Sequence, residues 1–392
     1  MKILLLGAGM QGKAALADLA RSVDVSEVVV ADREIDALRA HIHDMGYGPK
    51  VRPEVVDAAD PGSIDRLLVQ GPDVIIDLLP VPFSDVVAEA TVARRLHLVN
   101  TIYTSPGLRR LAAKAQAKGI ALLPEFGLDP GIDLAMLGQA AREVDQIEGI
   151  LSYGSGIPEL AAADNPLKYK VTWTLEGVLA SYRRDARLIR DGCLLEIDGR
   201  RVLDPEHIHK IDIEGIGQLE AFPNGDALPY ADLLGLEAAT LDDMGRYTMR
   251  WPGHGRFWRA MVDLGLLEDE PVMVDGVGID RKRFLAAALE PQLQLGPAER
   301  DIIILRVEVW GRKDGRRARA VYQLIDRRDL GTGQTAMSRT VGFTASIGAQ
   351  LIGRGAIAKR GLLSPVTDVP YDVLVGELAK RNIQITSAVE KL

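Results

Sequence analysis

The sequence of 392 residues carries a single cysteine, Cys193. No internal disulfide and no multi-thiolate metal site can be built from one thiol, and a chain long enough for two or three domains needs neither staple. Positive charge is also in short supply, with 47 Lys and Arg against 55 Asp and Glu for a net charge of -8. Such a balance gives no global field for phosphate backbones or anionic lipid, so neither nucleic acid nor a membrane surface is an expected partner. No window approaches the roughly 18 to 20 uninterrupted apolar residues of a spanning helix. The apolar run at residues 1–6 is too short for a secretion signal and breaks at once into Gly7-Ala8-Gly9. His41 with His43, and His207 with His209, stand two apart, which matches no zinc signature, so no metal is expected. There is no Gly-x-Ser-x-Gly elbow of a hydrolase, and no fixed-period repeat or low-complexity tract. A reducing, cytoplasmic setting is the expectation that these absences leave.

What is present is a globular composition, 47% hydrophobic and 26% charged. The first third alternates short apolar runs with longer amphipathic stretches. Strands are expected at 2–6, 27–31, 50–56, 74–79, 98–101 and 120–124, with helices at 12–22, 35–45, 61–70, 83–94 and 105–118. This is the pattern of an α/β, doubly wound parallel sheet of Rossmann type, assigned to residues 1–126. Beyond Phe126 the rhythm changes. Residues 127–342 read as a second α+β domain with a mainly antiparallel sheet, in which strands at 302–310 and 318–326 flank the hairpin signal Gly311-Arg312-Lys313-Asp314-Gly315. Helices at 343–352 and 369–380 lead to the expectation that residues 343–392 pack back on the first domain.

Gly7-Ala8-Gly9-Met10-Gln11-Gly12 follows a strand and opens a helix, the context in which GxGxxG works. The first glycine makes the tight turn, the second lets backbone approach a diphosphate, and the third permits close helix–strand packing. Asp32 lies 20 residues beyond Gly12 at the end of the second strand, placed to accept hydrogen bonds from ribose hydroxyls. Its charge favours NAD, whereas Arg33 beside it could pair with the 2'-phosphate of NADP. Asp57, Leu79 and Pro80 sit at strand ends on the cofactor side, where they serve equally well as caps and turn residues.

Glu125 and Asp129, in Pro124-Glu125-Phe126-Gly127-Leu128-Asp129-Pro130-Gly131, leave the sixth strand at its carboxyl end, where ligands bind in open α/β sheets. They are candidate acid/base groups or ammonium ligands, although Asp129 before Pro130 is also an ordinary turn residue. Lys168 and Tyr169 beside a Gly/Pro-rich loop could hold a carboxylate. His254 ends the run Arg246-Tyr247-Thr248-Met249-Arg250-Trp251-Pro252-Gly253-His254 and is expected on a turn, where an imidazole can titrate near neutral pH.

Taken together, these segments resemble the saccharopine dehydrogenase-like oxidoreductases, which include saccharopine reductases and lysine 6-dehydrogenases. The resemblance rests on GAGMQG from Gly7, GLDPG at 127–131, GIP and NPLKYKVTW between Gly156 and Trp173, LEAFPNGDALPY at 219–230, RYTMRWPGH at 246–254, GRKDG at 311–315 and AQLIGRGAIAKRG at 349–361. It implies a homodimeric enzyme that takes NAD(P) on its first domain and binds an amino-acid substrate on its second. It further implies hydride transfer from the carbon of a C–N bond, followed by hydrolysis of the imine. Glu125, Asp129 and His254 then become candidates for the base, and Lys168, Tyr169 and Arg246 for holding the substrate carboxylate. Saccharopine reductases typically have arginine in the segment containing Glu176, and a glutamate there favours lysine. Phe222-Pro223-Asn224-Gly225-Asp226 leans towards saccharopine, with Gly225 in place of a frequent arginine. A carboxynorspermidine-type polyamine dehydrogenase and a catalytically silent NAD-binding regulator are the alternatives.

Overall fold

Leu4, Leu5 and Leu6 are shielded almost completely from solvent because β1 (Lys2–Leu6) runs through the middle of a sheet with helices on both faces. The computed structural model describes residues 1–391. The first half of the chain continues through α1 (Met10–Arg21), β2 (Glu27–Asp32), α2 (Ile35–Asp44), β3 (Val51–Val55), α3 (Pro61–Leu68), β4 (Val74–Asp77), α4 (Ser84–Ala93), β5 (His97–Asn100), α5 (Pro106–Ala117), β6 (Ala121–Leu123) and α6 (Ile132–Arg142). The six strands are all parallel, in the order β6-β5-β4-β1-β2-β3, with the chain reversing its direction of winding at β1 and β4. That reversal opens a crevice beyond the carboxyl ends of β1 and β4. One face of this sheet packs Leu4, Leu6, Ile75, Leu98 and Leu122 against Ile64, Val87 and Leu108 of the helices. Each leucine so buried stabilises the fold by about 1.5–3 kcal/mol before chain entropy is counted.

The second half begins with β7 (Gln146–Pro158) and α7 (Leu175–Ser181), then β8 (Ala186–Arg190), β9 (Cys193–Ile197), β10 (His209–Ile213), β11 (Gly217–Pro223), α8 (Pro229–Leu233), β12 (Asp243–Arg250), α9 (His254–Asp263), β13 (Val272–Val274), β14 (Val277–Ile279), α10 (Arg281–Leu289), β15 (Asp301–Lys313) and β16 (Arg316–Arg327). The sheet runs β10-β11-β12-β7-β15-β16, antiparallel throughout except for the parallel pair β12 and β7. The expected hairpin lies between β15 and β16, where Asp314 and Gly315 both have positive φ, 52° and 75°, as a two-residue turn of matching twist requires.

The chain then forms α11 (Ala336–Gly353), β17 (Gly361–Leu362), α12 (Tyr371–Ala379) and β18 (Ile385–Lys391). β17 extends the parallel sheet beside β6. Gly342, Ser346 and Gln350 recur every four residues on one face of α11 and meet α1. A Cβ on Gly342 would stand 2.4 Å from the Gln11 carbonyl, Ser346 Oγ donates to Asp18 Oδ2 at 2.6 Å, and Ser22 Oγ donates to Gln350 Oε1 at 2.7 Å.

The chain divides into two compact units, Met1–Met136 with Ser338–Ile383, and Leu137–Met337 with the residues from Gln384 on. The expected boundaries at 126 and 342 therefore shift, and the placement of the last residues needs correction. β18 pairs antiparallel with β16 and adds a strand to the second sheet, because β16 would otherwise present an unpaired edge of backbone N–H and C=O groups.

Candidate functional site

At the crevice, the three glycines of the GAGMQG loop have different surroundings. A Cβ on Gly7 (φ +91°) would stand 2.7 Å from the Leu78 carbonyl, and one on Gly12 would stand 2.1 Å from the Gly7 carbonyl. Those two positions are closed by the protein's own backbone. A Cβ on Gly9 would meet nothing within 4 Å. Gly9 is exposed, and α1 opens on it with no side-chain cap and no acidic residue in its first turn. Open space at Gly9, at a helix start whose N–H groups favour negative charge, fits a dinucleotide diphosphate. Met10 and Gln11 form the first turn above it.

Asp32 closes the loop. Its Oδ2 accepts from the Ala8 amide at 2.6 Å and its Oδ1 from the Glu34 amide at 2.9 Å. Part of its charge is thus spent on backbone dipoles. Arg33 projects outward, its side chain 80% exposed and paired with Glu34 at 3.2 Å, an ion pair weak enough in water to be exchanged for a stronger anion. Asp57 caps the turn before α3, accepting from Ala59 at 3.0 Å. Pro80 is exposed, and the Leu79 amide donates to Asp77 Oδ1 at 3.1 Å. Asp77 ends β4 in the core, where burial pushes its carboxyl up to about 7.

Glu125 follows β6 with φ of 56°, a left-handed conformation that costs a non-glycine residue about 1–2 kcal/mol. The surroundings enforce it. The Glu125 amide donates to the Ile102 carbonyl at 3.0 Å, the Phe126 amide to the Asn100 carbonyl at 2.9 Å, and Glu125 Oε1 accepts from the Thr104 amide at 3.2 Å. A buried carboxylate held in a strained conformation at a strand's carboxyl end makes Glu125 a candidate functional group. Asp129, half-buried, precedes a cis Pro130 in a loop closed by bonds from Gly127 to Pro130 and from Ile132 to Gly127.

In the second unit, Asn165 shapes the NPLKY loop. Its Oδ1 accepts from the amides of Leu167 and Tyr169, and its Nδ2 donates to the Tyr169 carbonyl at 2.8 Å. Lys168 takes the left-handed conformation that this bracket demands, with φ of 47°. The turn sends Lys168 outward, where its Nζ donates to the Pro252 carbonyl at 3.4 Å, and sends Tyr169 inward. Tyr169 joins Tyr182, Phe222 and Trp258 in an aromatic core. Within this core Tyr182 meets His254 Nε2 at 2.7 Å, and His254 Nδ1 meets the Leu167 carbonyl at 3.0 Å.

His254 departs from the expectation of a titrating turn residue. It is the first residue of α9 and 3% exposed, and burial, aided by the Arg250 charge, lowers its pKa to about 3. Such an imidazole is neutral at pH 7 and too weak a base to take a proton from an amine. Arg246 is also buried, its Nη1 donating to the Tyr230 hydroxyl at 3.2 Å with its guanidinium over that ring. Glu176 is exposed in the first turn of α7. At Gly225, the position lacking an arginine, Arg184 Cδ stands 3.4 Å from where a Cβ would be, and Arg184 Nη1 donates to Asn224 Oδ1 at 3.2 Å.

Sequence reasoning missed Arg250, Tyr182 and Thr172. Arg250 is four residues beyond Arg246 and therefore on the same face of β12, a period-2 signal present in RYTMR. Its guanidinium lies over Tyr169, 5.4 Å from the ring centre, and borders the Tyr182 oxygen. Arg250 Nε, Tyr169 OH and Thr172 Oγ1 are buried without a hydrogen-bond partner, each at a cost of about 1–3 kcal/mol. Asp204, Glu206 and His207 are the one grouping among the described residues with ligand atoms close enough for a metal. Asp204 and Glu206 are already paired with Arg201, and Asp204 also with Arg259.

A doubly wound sheet with a diphosphate cradle, joined in sequence to a second unit with buried cationic and aromatic groups, defines a dinucleotide-dependent oxidoreductase. The saccharopine dehydrogenase NADP binding domain matches residues 3–123, the saccharopine dehydrogenase C-terminal domain matches residues 127–383, and the chain belongs to the saccharopine dehydrogenase family. It is 26% identical to the NADP(+), L-glutamate-forming saccharopine dehydrogenase of Pyricularia oryzae over 97% of this chain and 96% of that one. It is 25% identical to the mitochondrial alpha-aminoadipic semialdehyde synthase of Bos taurus, over 98% of this chain and 47% of that longer one. Among solved structures, the apo saccharopine dehydrogenase (L-Glu forming) of Saccharomyces cerevisiae superposes with a TM-score of 0.85 at 25% identity, covering 99% of both chains. The expected preference for NAD finds no support, since the family model and the relatives point to NADP. Among the described residues no helix is long and apolar enough to cross a membrane.

Proposed function

We propose that this protein is an NADP-dependent dehydrogenase that oxidises the C–N bond of a saccharopine-type amino acid and releases L-glutamate and an aldehyde. The observation that carries this reading is likeness to L-glutamate-forming relatives across nearly the whole of both chains, joined to a diphosphate cradle left open at Gly9. Gly7, Gly9, Gly12 and the start of α1 hold the diphosphate, Asp32 the adenosine ribose, and Arg33 its 2'-phosphate. The bound nicotinamide supplies a hydride acceptor.

The chain's residues must supply a neutral amine. An amine of ordinary pKa about 10.4 costs roughly 4.6 kcal/mol to deprotonate at pH 7, at 1.36 kcal/mol per unit. Glu125, held at the carboxyl end of β6, is the group to which we assign that proton, with Asp129 beside it in the chain. With the lone pair free, the C–H bond gives up its hydride and the C=N bond forms. Water then adds to that carbon, the C–N bond breaks, and the proton returns to the departing amine. His254 has no place in this sequence.

A second reading, oxidation of L-lysine, is favoured by the exposed carboxylate of Glu176 where saccharopine reductases typically have arginine. The test is reduced-nicotinamide absorbance with NADP or NAD and L-saccharopine or L-lysine, at pH 7 and 9. Reduction of NADP with saccharopine supports the first reading, reduction with lysine alone replaces it by the second, and silence with both refutes the assignment.

A further inference from the structure

β1, β2 and β3 are parallel, so the helices between them return the chain, and the carboxyl ends of α1 and α2 stand at the end of the sheet opposite the glycine loop. Arg21, the last residue of α1, is about 16 Å along the helix from Met10 at 1.5 Å per residue. At this far end Ala20, Arg21, Met45, Tyr47, Lys50 and Val51 line a cleft of about 270 Å³. All of them belong to the first unit.

In a chain of net charge -8, this cleft gathers positive charge. Arg21 and Lys13 make no hydrogen bond or ion pair among the described residues. The Arg21 charge acts on the Tyr47 hydroxyl, opposing the upward push of burial, and Lys13 acts on His41, adding to the downward push of burial. Lys50 Nζ donates to the carbonyls of Ala20 and Ser22, which leaves it a third proton. The carbonyl ends of the helices do not cancel these cations, because they are already engaged. The Ser22 amide closes α1 on Asp18 and Leu19, and the amides of Met45, Gly46 and Tyr47 close α2 on His41, His43 and Ile42. Asp44, the carboxylate that acts on His41, lies 3.4 Å from His43 Nδ1.

Two polar atoms in this place want a partner. Tyr47 OH and His41 Nε2 are buried without a hydrogen bond, a state that costs free energy until a ligand or water fills it. The two rings meet edge-on, 6.0 Å apart. A phenol can donate to an anion, and so can a neutral imidazole with its proton on Nε2.

We propose that this cleft binds a small organic oxyanion, a carboxylate or a phosphate, which accepts from Tyr47 and Lys50, pairs with Arg21 and has His41 beside Tyr47 as a further donor. Met45, Val51 and Ala20 offer apolar surface to the body of the ligand. The site is separate from the cofactor crevice and does not depend on the function proposed above.

The full chain saturated with NADP, which fills the anion sites of the glycine loop and Arg33, would be titrated with inorganic phosphate and, separately, with benzoate. Imidazole C–H resonances are followed by NMR, with His41 assigned from its loss in His41→Gln and the exposed His43 as internal control. The His41 resonance should move saturably while that of His43 stays. A response to phosphate alone identifies a phosphate ligand, a response to benzoate alone a carboxylate, and a response to both a general oxyanion site. Arg21→Met should weaken binding at least tenfold, and Tyr47→Phe several-fold. A His41 resonance unmoved by both probes up to about 20 mM, well above a millimolar Kd, leaves the cleft to water and overturns the proposal. Wild-type affinity in Arg21→Met overturns it too, and should that variant not fold, unchanged affinity in Tyr47→Phe does so. If NADP itself does not bind, the proposed function fails, and the resonance of His41 still decides this site.

Discussion

Tyr182 donates its phenolic proton to Nε2 of His254 at 2.7 Å, inside a core that exposes neither ring. With Nδ1–H donating to the Leu167 carbonyl, the neutral imidazole accepts this proton at Nε2, and protonation would reverse the bond and place a charge in a core that cannot solvate it. Its lowered pKa, about 3 against an ordinary 6.5, makes it a source of acid sensitivity. The native state resists a proton that the unfolded chain accepts below pH 6.5, so the contribution is fully present above 6.5 and is lost as pH falls towards 3. The slope is at most about 1.4 kcal/mol per pH unit. All four tryptophans, at 173, 251, 258 and 310, belong to the second unit. Urea unfolding followed by their fluorescence at pH 5, 6 and 7 therefore reads this unit directly. His254→Gln should show a shallower loss on acidification than the wild type, by about 2 kcal/mol between pH 6.5 and 5. Parallel pH dependences would show that the imidazole titrates normally.

Asp77 has the opposite sign. Burial raises its carboxyl from 3.8 to about 7, so the native state keeps a proton that the unfolded chain releases. Its contribution is fully present below pH 3.8 and is lost as pH rises through 7. Asp77→Asn retains an acceptor for the Leu79 amide and removes the titration. The variant should melt at a higher temperature than the wild type at pH 8, corresponding to as much as about 4 kcal/mol, with the gain vanishing by pH 4. Thermal melts by circular dichroism test this, and a gain independent of pH would point to packing instead.

The parallel sheet was legible because its signals are local. Apolar runs such as 2–6 and 74–79 are strands by length, and the glycine loop states its own geometry. β18 was not legible, since Ile385–Lys391 gains its strand character from an edge of β16 that lies about 60 residues earlier. The same holds for His254. A histidine after Pro252-Gly253 reads as a turn residue, and only the carbonyl of Leu167 and the ring of Tyr182, both far away in sequence, make it a buried acceptor. Lys168 and Tyr169 are adjacent and were read as a pair, yet the Asn165 bracket sends one outward and one inward.

The glycine loop offers a separation of fold from function. At Gly9, where a Cβ has open space and φ is -66°, alanine is sterically tolerated, and Gly9→Ala should change stability by no more than about 1 kcal/mol. The added methyl stands where the diphosphate must approach, so NADP affinity should fall tenfold or more. At Gly12, the methyl would meet the Gly7 carbonyl at 2.1 Å, and Gly12→Ala should cost a few kcal/mol of stability. Melting temperature and a cofactor titration on the two variants give the comparison. Unchanged NADP binding in Gly9→Ala would remove the diphosphate from this loop.

On the proposed assignment, the choice between NADP and NAD turns on Asp32 and Arg33. A carboxylate at the end of β2 ordinarily repels a 2'-phosphate, but both oxygens of Asp32 accept backbone amides, and its neighbour Arg33 is tied only to Glu34 at the surface. Exchanging that exposed pair for a phosphate gains charge-assisted hydrogen bonds worth about 1.5–3 kcal/mol. Arg33→Ala should therefore weaken NADP about 10- to 100-fold and leave NAD nearly unchanged, which a titration of each cofactor against the purified variant measures. Because the interaction is exposed, the NADP advantage of the wild type should also shrink as ionic strength rises from 0.05 to 0.5 M, roughly. An equal loss for both cofactors would place Arg33 against the adenine or the loop, and the preference for NADP would have to come from another cation.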